Sequence, residues 1–498
     1  MKKVLFIIWS YSLGGGAEAL LTAIVNNLNP QKYQIGIVEF YHSETKKEPI
    51  NSNIKLYEPI TVEGDGDYQK KMYYVYHEPD RMIRKYIPAD YDLYVSFNYQ
   101  IPSFLLPEGA RSIAWIHTSV YDLAQRGMED YKWLQSKAFE RAAKIVSISD
   151  ITTNSLQVLF PEHAHKIVEI YNAINIREVR EKAKGATEIE LRHPAIIYVG
   201  RLDENKNPLR MVDIFHKISM ENGLAHLYFL GRGELESQVQ TRVNEYGLQE
   251  RVHILGYFEN PFPIIKQADI SCVTSKSEGF PMRLLESVAL NVPFISTEIG
   301  GARILANDGR CGRIYATDNE AVKYALELLN TPKRLLKEEC EQFISRFGLD
   351  TYISKIEQLF DEVLEKEIAF EDNKFSTMWN DAEDETGLED RIYYYHFPDG
   401  IVPKSSKVIL YGAGDIGTNY YHYVKETDCC RIVAWVDAAA EKHRELGKSV
   451  DEIDVISDLE YDVVLIAVMH ETIAQSIRMN LCKMGIPDHK IVWVKPIF

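Results

Sequence analysis

The sequence predicts an α/β protein of two doubly wound units followed by a third, smaller one. Three observations carry this. Apolar strand patterns alternate with helical ones along the chain, as in parallel sheets covered by helices. A strand–turn–helix pattern starts afresh at Ala195 (AIIYVG), which divides the first part into blocks 1–185 and 186–349. Another begins at Ser406 and runs to residue 498. A length of 498 residues suits about three domains at about 100–200 residues each.

The first block reads as strand 3–9, a glycine loop, helix 16–28 and strand 33–40. A polar stretch 42–70 follows, then strands near 92–96, 111–116 and 144–148, each with a helical pattern behind it. The start, Met1-Lys-Lys-Val-Leu-Phe-Ile-Ile8, imitates a signal peptide. Its apolar run is short and leads into glycines without a small-residue cleavage site, so it reads as a buried strand. The polar run Arg180 to His193 reads as a linker. The second block continues through strands 195–200, 225–231, 252–256, 268–274 and 292–296. Residues 350–367 read as one long helix. Segment 361–390 holds twelve Asp/Glu against two Lys, and 368–405 reads as a solvated acidic connector.

A formal charge of −17 argues against general nucleic-acid binding, which draws on a basic face. Six cysteines (272, 311, 340, 429, 430, 482) show no CxxC or CxxH spacing, so the chain reads as reduced, cytoplasmic and without a structural metal. Nothing approaches the roughly 18 apolar residues that span a bilayer.

The densest chemistry lies in Ser277-Glu278-Gly279-Phe280-Pro281, with Glu286 eight residues after Glu278. This turn joins a buried strand to the apolar-periodic helix at Met282, with Pro281 in the first helical turn. It offers backbone amides and a positive helix end to an anion, framed by two acids. Such a site suits a ligand that is part phosphate and part polyol, a nucleotide sugar. The second strong feature is Gly200-Arg201…Lys206-Asn207-Pro208, two cations on a strand's carboxyl end, where open α/β sheets bind ligands. Arg201 and Lys206 can clamp a diphosphate and offset charge on a leaving group without a metal.

Weaker signals surround these two. Gly14, Gly15 and Gly16 end the first strand and open the first helix; they let a ligand's phosphate approach or supply a tight turn of positive φ. Gly231-Arg232-Gly233-Glu234 follows a later strand and can wrap a base or ribose, or be a plain turn. His117 ends a buried strand, where it can meet a sugar hydroxyl or simply pack. Asp65-Gly-Asp67 lacks a preceding strand and is rejected as a metal pair. Arg81, Arg84 and Lys85, with Lys132, Trp133, Lys137, Arg141 and Lys144, form two basic, aromatic patches that suit either solvent or an anionic membrane face. In the last block Gly412-x-Gly414-x-x-Gly417 follows a strand, precedes a helix, and has Asp437 ending the next strand. That is the dinucleotide fingerprint, read as a second nucleotide site or as a packing module. At about 93 residues the block is too short to hold a separate dehydrogenase domain.

Residues 1–366 resemble the retaining glycosyltransferases of family 4, which have the GT-B fold. The resemblance rests on Gly14–Gly16, His117, Gly200-Arg201…Lys206, Glu278-Gly-Phe-Pro…Glu286, Ile299-Gly300-Gly301 and the interdomain segment Tyr171-Asn172-Ala-Ile-Asn175. It implies two Rossmann-like domains facing a cleft, with the nucleotide sugar on the second and the acceptor on the first. By position it implies Arg201 and Lys206 on the diphosphate and Glu286 on the ribose. It places Glu278 with Phe280, Pro281 and Met282 at the donor sugar, His117 near the reacting carbon, and Gly15 and Gly16 on the far side of the diphosphate. It implies that the helix at 350–366 crosses back to the first domain, and that transfer retains configuration without a metal or other cofactor. The last block looks like short nucleotide-binding modules attached to sugar-modifying and surface-polysaccharide enzymes. The reading is a cytoplasmic hexosyltransferase building a surface glycan on a glycan or lipid-linked acceptor, in peripheral contact with the inner membrane face. The competing readings are a nucleotide-sugar epimerase of the same fold and a non-catalytic scaffold subunit.

Overall fold

A computed structural model of the chain describes residues 1–13, 15–43, 50–98, 100–120, 132–365, 395, 397–398, 401–445, 447–469 and 471–496. Gly14 and most of the acidic connector 368–405 lie outside the described residues.

The first domain begins with β1 (Lys2–Ile8), α1 (Gly16–Asn27) and β2 (Tyr33–Glu39). The polar stretch then yields short strands β3 (Tyr41–His42), β4 (Lys55–Leu56) and β5 (Thr61–Val62), and helices α2 (Tyr68–His77) and α3 (Pro79–Tyr86). After these come β6 (Leu93–Ser96), β7 (Ser112–Ile116), α4 (Lys132–Arg141), β8 (Lys144–Ser147), α5 (Asp150–Leu159) and β9 (Ile167–Glu169). The sheet order is β4-β2-β1-β6-β7-β8-β9, parallel throughout. Val4 to Ile8 are wholly buried. Helices on both faces leave such a strand no solvent side, so it reads as an unbroken apolar run rather than an alternating one.

The second domain comprises α6 (Ile176–Lys182), β10 (Ala195–Val199), α7 (Pro208–Glu221), β11 (His226–Leu230), β12 (Val252–Gly256), α8 (Phe262–Ile265), β13 (Ile270–Val273), α9 (Met282–Ala289), β14 (Phe294–Thr297) and β15 (Gly312–Tyr315). Helices α10 (Asp318–Asn330), α11 (Lys333–Ile344) and α12 (Leu349–Glu365) follow. The parallel order β12-β11-β10-β13-β14-β15 reverses direction between β10 and β13. Such a reversal opens a crevice at the carboxyl ends of the strands.

The chain crosses between these domains at two points that pair with each other. Ile174 N donates to Phe347 O at 3.1 Å and Leu349 N donates to Ile174 O at 3.1 Å. Helix α6 packs on α8 and α9, and Arg180 Nε donates to Ala289 O at 3.0 Å. Residues 176–182 therefore sit with the second sheet, and the changeover lies at Ile174 rather than at 185. Helix α12 packs on the first sheet: Phe360 lies against Phe6 and Tyr33, and Asp361 receives Lys32 Nζ at 2.5 Å.

The chain divides into two compact units, Met1–Glu63 with Ile83–Trp379, and Gly64–Met82 with Asn380–Phe498. Both Rossmann-like domains belong to the first. The second contains α2 together with β16 (Lys407–Tyr411), α13 (Asp415–Thr427), β17 (Arg431–Val436), β18 (Val463–Ile466), α14 (Glu471–Lys483) and β19 (Ile491–Val492). Its strands form a parallel sheet of order β17-β16-β18-β19.

Candidate active site

The loop after β10 is shaped by two hydroxyls from the sheet. Tyr198 Oη donates to Arg201 O at 3.2 Å and Lys206 O at 3.1 Å. Thr274 Oγ1 lies 2.9 Å from both Lys206 O and Asn207 O. Asn207 takes a left-handed φ of 52°, which Asn tolerates better than most residues, and Pro208 starts α7. Crosslinks join this loop to the turn after β13: Asn205 Nδ2 donates to Ser277 O at 2.9 Å, and Lys276 N to Asn205 O at 2.7 Å.

That zipper brings the predicted cation and acid together. Lys206 Nζ lies 2.8 Å from Glu278 Oε2, while Ser275 Oγ donates to Glu278 Oε1 at 2.6 Å. Arg201 sits beside them with its Nε 3.1 Å from Asp203 Oδ2, and at 77% side-chain exposure its outer face is open. Glu286, one turn inside α9, is mostly buried; burial raises its pKa, and Arg283, whose Nη1 is 2.6 Å from Oε2, works against the rise. Arg201 and Arg283 line a cavity of about 460 Å³ together with Gly200, Gly231, Arg232 and Tyr257. The structure thus gathers Arg201, Lys206, Glu278 and Glu286 on one edge of the second sheet. Arg232 belongs to the Gly231–Glu234 motif read from the sequence, whereas Arg283 and Tyr257 are additions that no spacing signal marked beforehand.

The glycines serve the approach of one backbone to another. Gly231 has φ +144°, and a Cβ there would run into the Gly200 carbonyl; one on Gly233 would meet the Leu202 backbone. A Cβ on Gly279 would strike the carbonyl oxygen of His117, across the cleft. Phe280 is buried against Tyr171 (6.2 Å between centroids) and Phe347 (6.3 Å), with Gly301 over its ring. Pro281 is the N-cap residue of α9, one place before the first turn, and Met282 N donates back to Phe280 O at 3.0 Å.

His117 meets the Glu278–Pro281 turn through its carbonyl. Its ring lies 4.2 Å from Phe97 and stacks at 5° on Trp115. Burial in these aromatics drives its pKa down to about 3, so the imidazole is neutral at working pH. Nε2 is buried with no hydrogen-bond partner among the described residues.

At the first loop, Gly15 is the N-cap of α1 with φ −178°, an extended conformation open to any residue, and a Cβ on Gly16 would meet empty space. The loop takes its shape from Glu39, an acid ending an otherwise apolar strand. The Glu39 carboxylate accepts from Tyr11 N and Ser12 N, each at 2.7 Å, from Ser12 Oγ at 2.5 Å and from Ser10 Oγ at 3.2 Å. Burial pushes the Glu39 pKa up, but these donors and His42 outweigh it and hold the group below the usual carboxylate value. An ionisable residue closing an apolar strand is the sequence signal that could have marked it.

Of the basic patches, Arg141 donates to Leu106 O at 3.1 Å, Lys144 pairs with Glu362 at 2.9 Å and Arg81 lies over Tyr74. Trp133 is exposed, with Lys137 over its ring. In the C-terminal module Gly412 has φ +112°, a Cβ on Gly417 would strike the Gly412 carbonyl, and Gly414 caps α13 with open space around it. Both Asp437 oxygens accept backbone amides, from Ala413 N at 2.7 Å and Ala439 N at 2.8 Å. Lys448 Nζ donates to Ala413 O at 2.8 Å and to Thr418 Oγ1 at 2.9 Å, close to the helix N-terminus.

Two doubly wound parallel domains with a cationic and acidic crevice at the second sheet's switch point define a protein of the GT-B class. Residues 179–346 match the family described as Glycosyl transferases group 1. Residues 404–492 match the family described as C2185-like, N-terminal. The chain is 30% identical over 190 residues to a Campylobacter jejuni N-acetylgalactosamine-N,N'-diacetylbacillosaminyl-diphospho-undecaprenol 4-alpha-N-acetylgalactosaminyltransferase. That match covers 38% of this chain and 51% of the relative, so the chain spans about half of that relative's length. A second Campylobacter jejuni protein, GalNAc-alpha-(1->4)-GalNAc-alpha-(1->3)-diNAcBac-PP-undecaprenol alpha-1,4-N-acetyl-D-galactosaminyltransferase, is 24% identical over 362 residues, which is 69% of this chain and 95% of that one. Among solved structures, Anabaena HepE in complex with UDP superposes with a TM-score of 0.55 at 15% identity, covering 73% of this chain and 100% of that chain. At that identity the likeness shows the fold.

Proposed function

We propose that the protein transfers a sugar from a nucleoside-diphosphate sugar to a glycan or lipid-linked acceptor in surface-polysaccharide biosynthesis. The observation that carries the reading is the Lys206–Glu278 pair set beside the arginine-lined cavity. Arg201 and Lys206 take the diphosphate, and the sugar hydroxyls meet Glu278. As the glycosidic bond breaks, negative charge grows on the departing phosphate and those two cations stabilise it, the part a divalent cation plays elsewhere. His117 is neutral and carries no acid–base duty. The acceptor hydroxyl passes its proton to the leaving phosphate on the same face of the sugar, which gives retention. The printed names of the two Campylobacter relatives, with their undecaprenol-linked acceptors, support a lipid-linked acceptor. Exposed Lys132, Trp133 and Lys137 on α4 suit peripheral contact with an anionic leaflet on the cytoplasmic side.

The test is nucleotide release from a panel of sugar donors with and without a polyprenyl-diphosphate-linked glycan, in chelator. Release that requires the acceptor, with NMR of the product showing the donor's anomeric configuration, supports the reading. An interconverted donor without release favours an epimerase, and binding without either favours a scaffold. For the C-terminal module we propose phosphate contact over Gly414, next to Lys448, by a nucleotide or dinucleotide. Calorimetry with Gly414→Trp tests this, since the bulky ring fills the open space.

A further inference from the structure

The donor turn is gripped from the other domain, and the grip includes a polar contact. Gly301, in the loop after β14, donates its N–H to Oδ1 of Asp150, the first residue of α5 in the first domain, at 3.1 Å. Gly300 donates its own N–H to the carbonyl of Glu278 at 3.1 Å. A Cβ on Gly300 would lie 2.6 Å from Oγ of Ser149, which is fully buried and caps α5 by accepting from Thr152 N. On the opposite side, the first atoms a Cβ on Gly279 would meet all belong to the first domain: the His117 carbonyl, and Ile148 Cδ1 at 3.2 Å. The turn carrying Glu278 is thus clasped between the end of β7 and the start of α5.

We propose that Asp150 is a positioning residue for transfer: it acts through the Gly300–Gly301 amides to hold Glu278 over the donor sugar when the two domains close. This rests on the transferase reading above. The donor's nucleotide contacts, Arg201, Lys206 and Glu286, lie within the second domain and do not need the clasp, whereas presentation of Glu278 to the sugar does. Asp150 therefore governs turnover and leaves nucleotide affinity nearly untouched.

The experiment compares Asp150→Ala and Asp150→Asn in the full chain. Ala removes the acceptor oxygen; Asn keeps one in the same place. The expected result is a kcat lower by about 10- to 100-fold for Ala, the loss of one charge-assisted hydrogen bond, with Asn restoring most of it. The Kd for UDP, the probe, stays within about threefold for both. In parallel, hydrogen exchange of the free protein reads the Gly301 amide directly, which should lose protection in Ala and keep it in Asn. Wild-type turnover in Ala, equal losses in Ala and Asn, equal losses of turnover and UDP affinity, or an unchanged Gly301 amide each overturn the proposal. If wild type releases nucleotide from no donor, the transferase reading fails while the exchange data still decide the clasp.

Discussion

Replacing Lys206 with alanine removes the ammonium on which the proposed chemistry leans. In the free protein that ammonium already holds Glu278 at 2.8 Å, with side-chain exposures of 22% and 15%, so the pair is partly screened. Two unit charges 4 Å apart at an effective dielectric of 20 interact by about 4 kcal/mol, an upper bound for its pull on the departing phosphate. Removing one preorganised donor from developing charge costs about 2.7–4 kcal/mol, which corresponds to about 100- to 1,000-fold in kcat. Stability should change little, by about 1 kcal/mol, because the pair is near the surface and Ser275 still donates to Glu278. Glu278→Gln works in the opposite sense on product affinity. It frees the ammonium from its partner, so UDP binds more tightly, by about threefold, while sugar transfer falls because the hydroxyl acceptor has lost its charge. The assay pairs acceptor-dependent nucleotide release with calorimetry of UDP. A Lys206→Ala enzyme within threefold of wild-type kcat would refute the assignment, as would a Glu278→Gln protein that binds UDP more weakly.

Gly279→Ala adds one methyl whose nearest contacts are first-domain atoms, so kcat should fall at least tenfold with the UDP Kd within threefold; a shift confined to Kd would show that the methyl acts inside the donor site. His117→Asn should leave any limb of the pH–rate profile between 5 and 8 in place, because the imidazole titrates near pH 3; loss of a limb would contradict its burial. Asp269 ends the loop before β13, where its carboxylate accepts from Ala195 N at 2.7 Å and His193 Nδ1 at 2.7 Å and pairs with Lys333. Burial raises its pKa, but those donors outweigh it and leave a net fall, so its stabilisation is complete above the unfolded value near 3.9 and disappears as pH drops through the lower folded value. Asp269→Ala should therefore lower stability at pH 7 by about 1.5–3 kcal/mol and by less at pH 3, measured by urea unfolding; an equal loss at both pH values would refute the linkage.

The sheets were legible because parallel strands covered on both faces print continuous apolar runs, as at Val4–Ile8 and Ala195–Val199. The elements missed had no such print. Strand β9 (Ile167–Glu169) is three residues long and only half-buried, β15 (Gly312–Tyr315) opens on glycine and arginine, and α2 hides in a stretch whose apolar positions are mostly tyrosines. In the crevice, the cations and acids could be read because charge at a strand end is itself the signal. The need for Gly279, Gly231 and Gly300 could not, because it arises from backbone that only tertiary folding brings near. Asp437 shows the same limit: spacing located an acid at the end of β17, but only the fold shows that two amides already hold its oxygens.

The crevice also fixes where a proton can go. A transferase must move one proton from the acceptor, and burial beside Phe97 and Trp115 lowers the basicity of the His117 imidazole. The carboxylate nearest the proposed sugar is committed on both oxygens, one to Lys206 and one to Ser275. The lowered pKa makes the His117 imidazole too weak a base, and the Glu278 carboxylate is already paired. The group whose basicity rises during the proposed reaction is the departing phosphate, and it gains charge beside the two cations that keep it in place. In the proposed reaction, the aromatic packing of His117 and the pairing of Glu278 favour proton transfer to the leaving group. A side chain able to receive it on the opposite face would instead favour inversion.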